Sequence, residues 1–172
     1  MTLLDQLSNV LKQYGGGSNQ SPANVSEHFD QVAQAAPQGT IAEGLSDVFR
    51  SDQTPAFGSL VGNLFSQSNG EQKAGVLNHL IGSLGPGALS SMAGGGALAS
   101  LLGGARQIDP EQAENVPQQL VEQMATHAEK SDPSVVDRAS SFYAQHPMLV
   151  KSLGGAAMSM VLARVAQRQR AA

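Results

Sequence analysis

The stretch LIGSLGPGALSSMAGGGALASLLGGA, residues 80–105, contains no charged side chain and eight glycines. Glycine costs roughly 1 kcal/mol relative to alanine inside a helix, so clustered glycines mark breaks between helices. The pattern therefore predicts a buried helix over residues 77–84, an interruption at 85–87, and short helices around 88–92 and 97–102.

Two other interpretations of this uncharged stretch stay open. Small residues let helix backbones approach closely, and Gly95, Ala99 and Gly103 form a row of small residues spaced four apart, which favours self-association. The other interpretation is contact with lipid or an apolar ligand, with the stretch acting as a lid over a cavity or dipping into a bilayer surface. A spanning helix needs about 20 mostly apolar residues. Because the stretch contains eight glycines and a proline, we predict no transmembrane segment.

The rest of the chain carries helical signals. Proline is tolerated at the first position of a helix because that residue's N–H has no intrahelical partner, and a preceding Ser, Thr or Asp caps free N–H groups. This pattern predicts helix starts at Ser21-Pro22, Thr54-Pro55, Asp109-Pro110, Asp132-Pro133 and His146-Pro147. Capping boxes are predicted at Thr40 with Glu43 and at Ser68 with Glu71. Apolar residues recur at helical spacing and no alternating run predicts a strand, so we expect an all-α bundle of seven to nine short helices.

The chain is predicted to have three parts. An amphipathic helix covers residues 1–14, a Gly/Ser linker covers 15–20, and a single helical domain covers 21–172. Residues 24–66 and 116–158 resemble each other at an offset of 92 positions. This similarity predicts two pseudo-repeated three-helix units on either side of the uncharged stretch.

Composition excludes several classes of function. The chain has 172 residues, of which only 14% are charged, and its net charge is −4. Nonspecific binding to nucleic acid needs a dense set of Lys and Arg side chains, so nucleic acid is an unlikely partner. The absence of cysteine excludes disulfides and thiolate metal sites. Together with an opening segment that has no basic leader, it favours a cytoplasmic location.

Motifs that carry chemistry are missing from the sequence. It contains no Walker loop, no G-x-S-x-G elbow, and neither H-E-x-x-H nor E-x-x-H. The carboxylates are spaced as expected for helix N-termini and solvated helix faces. We therefore predict no catalytic, cofactor-binding or metal-binding residues, and a protein that is not an enzyme.

The opening LLDQLSNVLKQYGGG, followed by apolar helices interrupted by glycine, resembles the YidB-like family of small bacterial proteins of unknown function. The resemblance covers about the first twenty residues and the Gly/Leu-rich middle of the chain. It implies a compact, all-helical protein, and it implies no activity.

These observations favour a non-catalytic interaction or self-assembly module with a protein partner or a second copy of the chain. The candidate interface consists of Leu3, Leu7, Leu11, Gly95, Ala99 and Gly103. The alternative is a helical carrier of a lipid or other apolar ligand, or peripheral membrane contact through the uncharged stretch. The candidate lining of a ligand site consists of Phe57, Leu60, Leu64, Phe65, Met92, Leu98 and Leu102.

Overall fold

The computed structural model describes residues 5, 8–10, 12, 14, 22–92 and 95–171, and every regular element in these ranges is a helix. The all-α prediction is confirmed. The helices are α1 (Pro22–Ala35), α2 (Gln38–Phe49), α3 (Phe57–Gln67), α4 (Gly70–Ser91), α5 (Gly95–Leu102), α6 (Pro110–Glu114), α7 (Gln118–Ser131), α8 (Ser134–Ala144), α9 (Pro147–Lys151) and α10 (Gly155–Ala171). Eight of them have at least eight residues, within the predicted seven to nine, and α6 and α9 are single turns of five.

The chain forms two compact units. Unit 1 comprises Met1–Thr54 and Ser140–Ala172, and unit 2 comprises Pro55–Ala139. Within the segment 1–14, for which the sequence predicts a helix, the described residues are helical. The predicted linker over 15–20 lies outside the described residues.

Unit 1 is built around α10, which packs against α1 and α2. The α2 and α10 backbones come close at Gly44, where a Cβ atom would lie 3.3 Å from the Val161 carbonyl oxygen. At the end of α10, the Arg168 guanidinium bonds both carboxylate oxygens of Asp47, at 3.0 to 3.1 Å, and Glu43 at 3.0 Å. These three charged side chains join the polar edges of α2 and α10 beyond the apolar contact.

A buried tyrosine lies in the core of unit 1. The Tyr143 ring makes edge contacts with Phe49 and Phe142 and is fully buried. Its hydroxyl has no hydrogen-bond partner among the described residues. Burial raises the pKa of Tyr143 well above the ordinary tyrosine value, so the phenol stays neutral. Tyr14 differs, because its hydroxyl lies 2.9 Å from His28 Nδ1.

Unit 2 is built around the pair α3 and α7, with α4 packed against both. Glycines allow this pair to approach closely. A Cβ atom at Gly58 would lie 2.6 Å from the Glu122 carbonyl oxygen and would also meet the Thr126 hydroxyl. One turn later, Gly62 makes room for the Glu122 side chain, whose carboxylate accepts a 2.9 Å hydrogen bond from Gln118.

Several predicted helix starts are confirmed. Helix α1 begins at Pro22, although Ser21 lies outside the described residues. Helices α6 and α9 begin at Pro110 and Pro147, with Asp109 and His146 as their N-caps. Helix α8 begins one residue after Pro133, and the Asp132 carboxylate accepts from the Ser134 N–H at 3.1 Å.

Three predicted starts are wrong. Helix α3 begins at Phe57 because the Thr54 hydroxyl donates backward to the Val48 carbonyl at 2.6 Å instead of capping. Thr40 lies inside α2, which begins at Gln38 without a side-chain cap. The capping box predicted at Ser68 forms one residue later, between Asn69 and Gln72, because the Ser68 hydroxyl donates to the Leu64 carbonyl.

The two predicted repeats contain three helices each. Residues 24–66 contain all of α2 and most of α1 and α3. Residues 116–158 contain α7, α8 and α9, together with the first turn of α10. The first two pairs match closely in length, with 14 and 12 residues against 14 and 11. The third pair differs, 11 residues against five, because the chain turns at Gly154 (φ 91°) before α10. The duplication stays a prediction.

Substitution of Gly58 tests the α3–α7 contact. We expect Gly58→Ala to lower the free energy of unfolding by roughly 1–3 kcal/mol, because its methyl group overlaps the backbone of α7. The matched control is Gly82→Ala in α4, where no atom lies within 4 Å of the added Cβ. This control should gain roughly 0.5–1 kcal/mol, because alanine is the better helix former. Urea unfolding followed by circular dichroism measures the free energy of unfolding of both variants. Equal changes in the two variants would contradict the close α3–α7 contact at Gly58.

Candidate functional site

Helix α4 contains a sharp break at the start of the uncharged stretch. Gly85 has φ 71° and ψ 167°, and the residues on either side are helical. Only glycine adopts these angles without strain, because any Cβ would clash with the backbone. Pro86 follows and cannot donate the hydrogen bond that would continue the first part of the helix. The interruption predicted at 85–87 is confirmed, and it occupies a single residue.

In the uncharged stretch, burial follows the size of the side chain. Most of the larger residues are buried in unit 2, namely Leu80, Ile81, Leu84, Leu89, Met92 and Leu98, while Leu101 and Leu102 are half-buried. The small ones are exposed, among them Gly82, Gly87, Gly96, Ala97 and Ala99. An exposed surface with so little side-chain volume leaves space between α4 and the neighbouring α5.

This space is a groove of about 580 Å³, which we call the α4–α5 groove. Helix α4 contributes Ile81, Gly82, Gly85, Leu89 and Ser90. Helix α5 contributes Ala99 and Leu102, and the loop that follows contributes Gly104, Ala105 and Arg106. Eight of these ten residues are glycine or aliphatic. Small-molecule sites typically measure about 300–1,000 Å³ and are lined mainly by apolar residues with a few polar groups.

The loop that contributes Gly104, Ala105 and Arg106 to the groove is held by side-chain amides. The Asn78 carboxamide accepts from the Ile108 N–H at 2.8 Å and donates to the Ile108 carbonyl at 3.3 Å. The Gln112 amide donates to the Leu101 carbonyl at 2.7 Å, near the end of α5. Arg106 lies between these two attachment points, so both ends of its loop are fixed.

The charges around the groove are few. Arg106 is the only charged residue in its lining, and it has no ion-pair partner among the described residues. His79 precedes the uncharged stretch. Partial burial, assisted by the positive charge of Arg138, lowers the pKa of His79 and favours its neutral form.

Three of the six residues of the predicted interface lie within the described part of the chain. Leu3, Leu7 and Leu11 lie outside the described residues. Gly95 begins α5, Ala99 is exposed on that helix and lines the α4–α5 groove, and Gly103 follows the helix end with φ 54°. The small-residue row therefore does not continue along one helix, because the chain turns at Gly103.

The residues of the predicted ligand lining do not line a single groove. Four of them come from α3 and belong to the core of unit 2, namely Phe57, Leu60, Leu64 and Phe65. They line neither the α4–α5 groove nor the polar groove described below. Leu98 is buried, at 1% exposure. Leu102 lines the α4–α5 groove together with Ala99, so one residue from each predicted set meets there.

Met92 lines a second groove of about 520 Å³, whose other residues are polar, namely Ser59, Ser91, Gln119, Glu122, Gln123, Thr126 and His127. Three of these side chains already have partners. The Ser91 hydroxyl donates to the Ala88 carbonyl at 2.9 Å. The Glu122 carboxylate accepts from Gln118, and the Thr126 hydroxyl donates to the Glu122 carbonyl at 2.8 Å. Within the described ranges, no three His, Asp or Glu side chains are grouped so that they could hold a metal ion.

Sequence reasoning missed most of the groove. Ile81, Gly85 and Leu89 are spaced four residues apart, which places them along one side of α4 despite the break. This spacing was a usable signal. Arg106, the first charged residue after the stretch, was another, because it marks where the apolar surface ends.

No known protein family, curated protein or solved structure matches this chain. Among the helices that the structure describes, none is long and apolar enough to cross a membrane.

The Asn78 attachment can be tested by proteolysis. We expect Asn78→Ala to speed trypsin cleavage after Arg106 roughly tenfold, because the Ile108 peptide groups lose two hydrogen bonds and local opening costs less. The matched control is Asn63→Ala, which removes an exposed amide with one long contact, 3.4 Å, to Gln118. Timed digestion followed by mass spectrometry measures the rate, and equal rates in the two variants would contradict the role of Asn78.

Proposed function

We propose that this chain is a non-catalytic binding protein and that its binding site is the α4–α5 groove. The observation that carries the proposal is the combination of a volume suited to a small ligand with a lining that is glycine or aliphatic except at Ser90 and Arg106. Apolar surface that stays in contact with water is unfavourable by about 25 cal/mol per Å², and an apolar ligand that covers it recovers this free energy.

The glycines of α4 support the same interpretation. No atom lies within 4 Å of a Cβ built at Gly82 or Gly85, so the groove reaches the helix backbone itself. A ligand there would contact Ile81 and Leu89. Each of these side chains is 92% buried, so the packing of unit 2 holds it in place. The second groove is a weaker candidate for an apolar ligand, because its lining is polar apart from Met92.

Two alanines of α5 provide a matched test of the site. Ala97 and Ala99 are both exposed on the same helix, and only Ala99 lines the groove. We expect Ala99→Leu to weaken binding of Nile red, an uncharged apolar dye, by about tenfold (about 1.4 kcal/mol), because the larger side chain fills the groove. Ala97→Leu should bind the dye as the unchanged chain does.

Fluorescence titration measures these affinities, and circular dichroism verifies that both variants are folded. Equal dye binding by the two variants, or no dye binding by the unchanged chain, would overturn the groove as the site.

Self-association is the second candidate function. It is favoured by the exposed small residues Gly82 and Ala99, which face the same groove from α4 and α5 and would let a helix of a second copy approach closely. We expect a native mass spectrum at micromolar concentration to show a multiple of the 17.8 kDa chain. Ala99→Leu should then shift the spectrum toward monomer and Ala97→Leu should not. A monomer without bound mass in every variant would contradict this candidate.

A further inference from the structure

We infer that the occupant of the α4–α5 groove is a free, single-chain carboxylate amphiphile, a fatty acid, whose carboxylate pairs with Arg106. The inference rests on the proposed function, because it names the ligand class of the same site. It depends on the charge and the shape of the groove.

The charge of the groove selects an anionic group. Residues 80–105 contain no charged side chain, so the aliphatic part of the lining carries neither attraction nor repulsion for ions. Arg106 supplies the one charge, and it is exposed and unpaired among the described residues. Two other arginines form ion pairs within the chain: Arg138 pairs with Asp132, and Arg168 pairs with Glu43 and Asp47. Arg106 is therefore available to a ligand.

The chemistry of Arg106 suits a carboxylate. A guanidinium presents parallel N–H donors that match the two oxygens of a carboxylate, and such charge-assisted pairs are shorter and stronger than neutral hydrogen bonds. The Asn78 carboxamide holds the loop of Arg106 at Ile108, two residues beyond it, and Arg106 lines the groove. A ligand with an anionic head and an apolar tail satisfies Arg106 and the lining together.

The volume of the groove suits one acyl chain. Its volume of about 580 Å³ lies within the range of sites for single small ligands. Each methylene that enters such a site contributes about 0.8 kcal/mol, which corresponds to about a fourfold gain in affinity. Affinity should therefore rise steeply with the length of a single chain.

The first test compares decanoate, octanoate and 1-decanol by isothermal titration calorimetry. Decanoate should bind about fifteenfold more tightly than octanoate, because it adds two methylenes. It should bind about twofold to fivefold more tightly than 1-decanol, which has the same chain without the charge. Equal binding of decanoate and 1-decanol would overturn the role assigned to the carboxylate.

Substitution of Arg106 is the second test. Arg106→Gln should lose the preference for decanoate over 1-decanol, because glutamine carries no charge to pair with the carboxylate. The matched control is Arg170→Gln, an exposed arginine in the last turn of α10 in unit 1, which should bind all three compounds as the unchanged chain does. A preference that survives Arg106→Gln would overturn the pairing.

The outcomes of these tests show whether the fatty-acid inference fails alone or together with the proposed function. If Nile red binds in the groove and decanoate shows no advantage, the fatty-acid inference fails and the binding site stands. If neither compound binds, both fail. Binding to phosphatidylglycerol vesicles without binding to monomeric decanoate would also overturn the inference, because it would identify a membrane surface as the partner.

Discussion

The backbone conformation of Gly85 is the constraint on which the candidate site depends. With φ at 71° and ψ at 167°, this residue interrupts α4 while both halves of the helix remain packed in unit 2. Large side chains on either side of the break, such as Leu84 and Leu89, stay buried. The small residues are then exposed along the groove.

Close packing through glycine recurs in both units with a different result. At Gly44 in unit 1 and at Gly58 and Gly62 in unit 2, the missing side chain is filled by atoms of the partner helix. At Gly82 and Gly85 the same absence leaves open space. The two kinds of glycine look alike in the sequence. Their difference explains why one set holds helices together and the other forms a groove that a ligand can enter.

Local chemistry explains which sequence predictions succeeded. Asp109-Pro110 and His146-Pro147 mark helix starts because a proline at the first position needs no hydrogen bond, whatever the surroundings. Thr54 and Ser68 failed as caps because their hydroxyls bond carbonyls of the preceding helices. Serine and threonine can stabilise the end of one helix or the start of the next, and the choice depends on the path of the chain between them.

The sequence by itself determined the all-α class, the break in α4 and the aliphatic character of residues 80–105, because helix spacing, glycine and proline act through the local backbone. Only the tertiary structure decided which apolar residues are buried away from the groove and which line it. Phe57 and Phe65 are apolar and helical like Ile81, yet the packing of α3 against α7 covers them completely or nearly so. The position of Arg106 also depended on tertiary contacts, since Asn78 holds its loop across 30 residues of chain. Such long-range pairing leaves no periodic signal in the sequence.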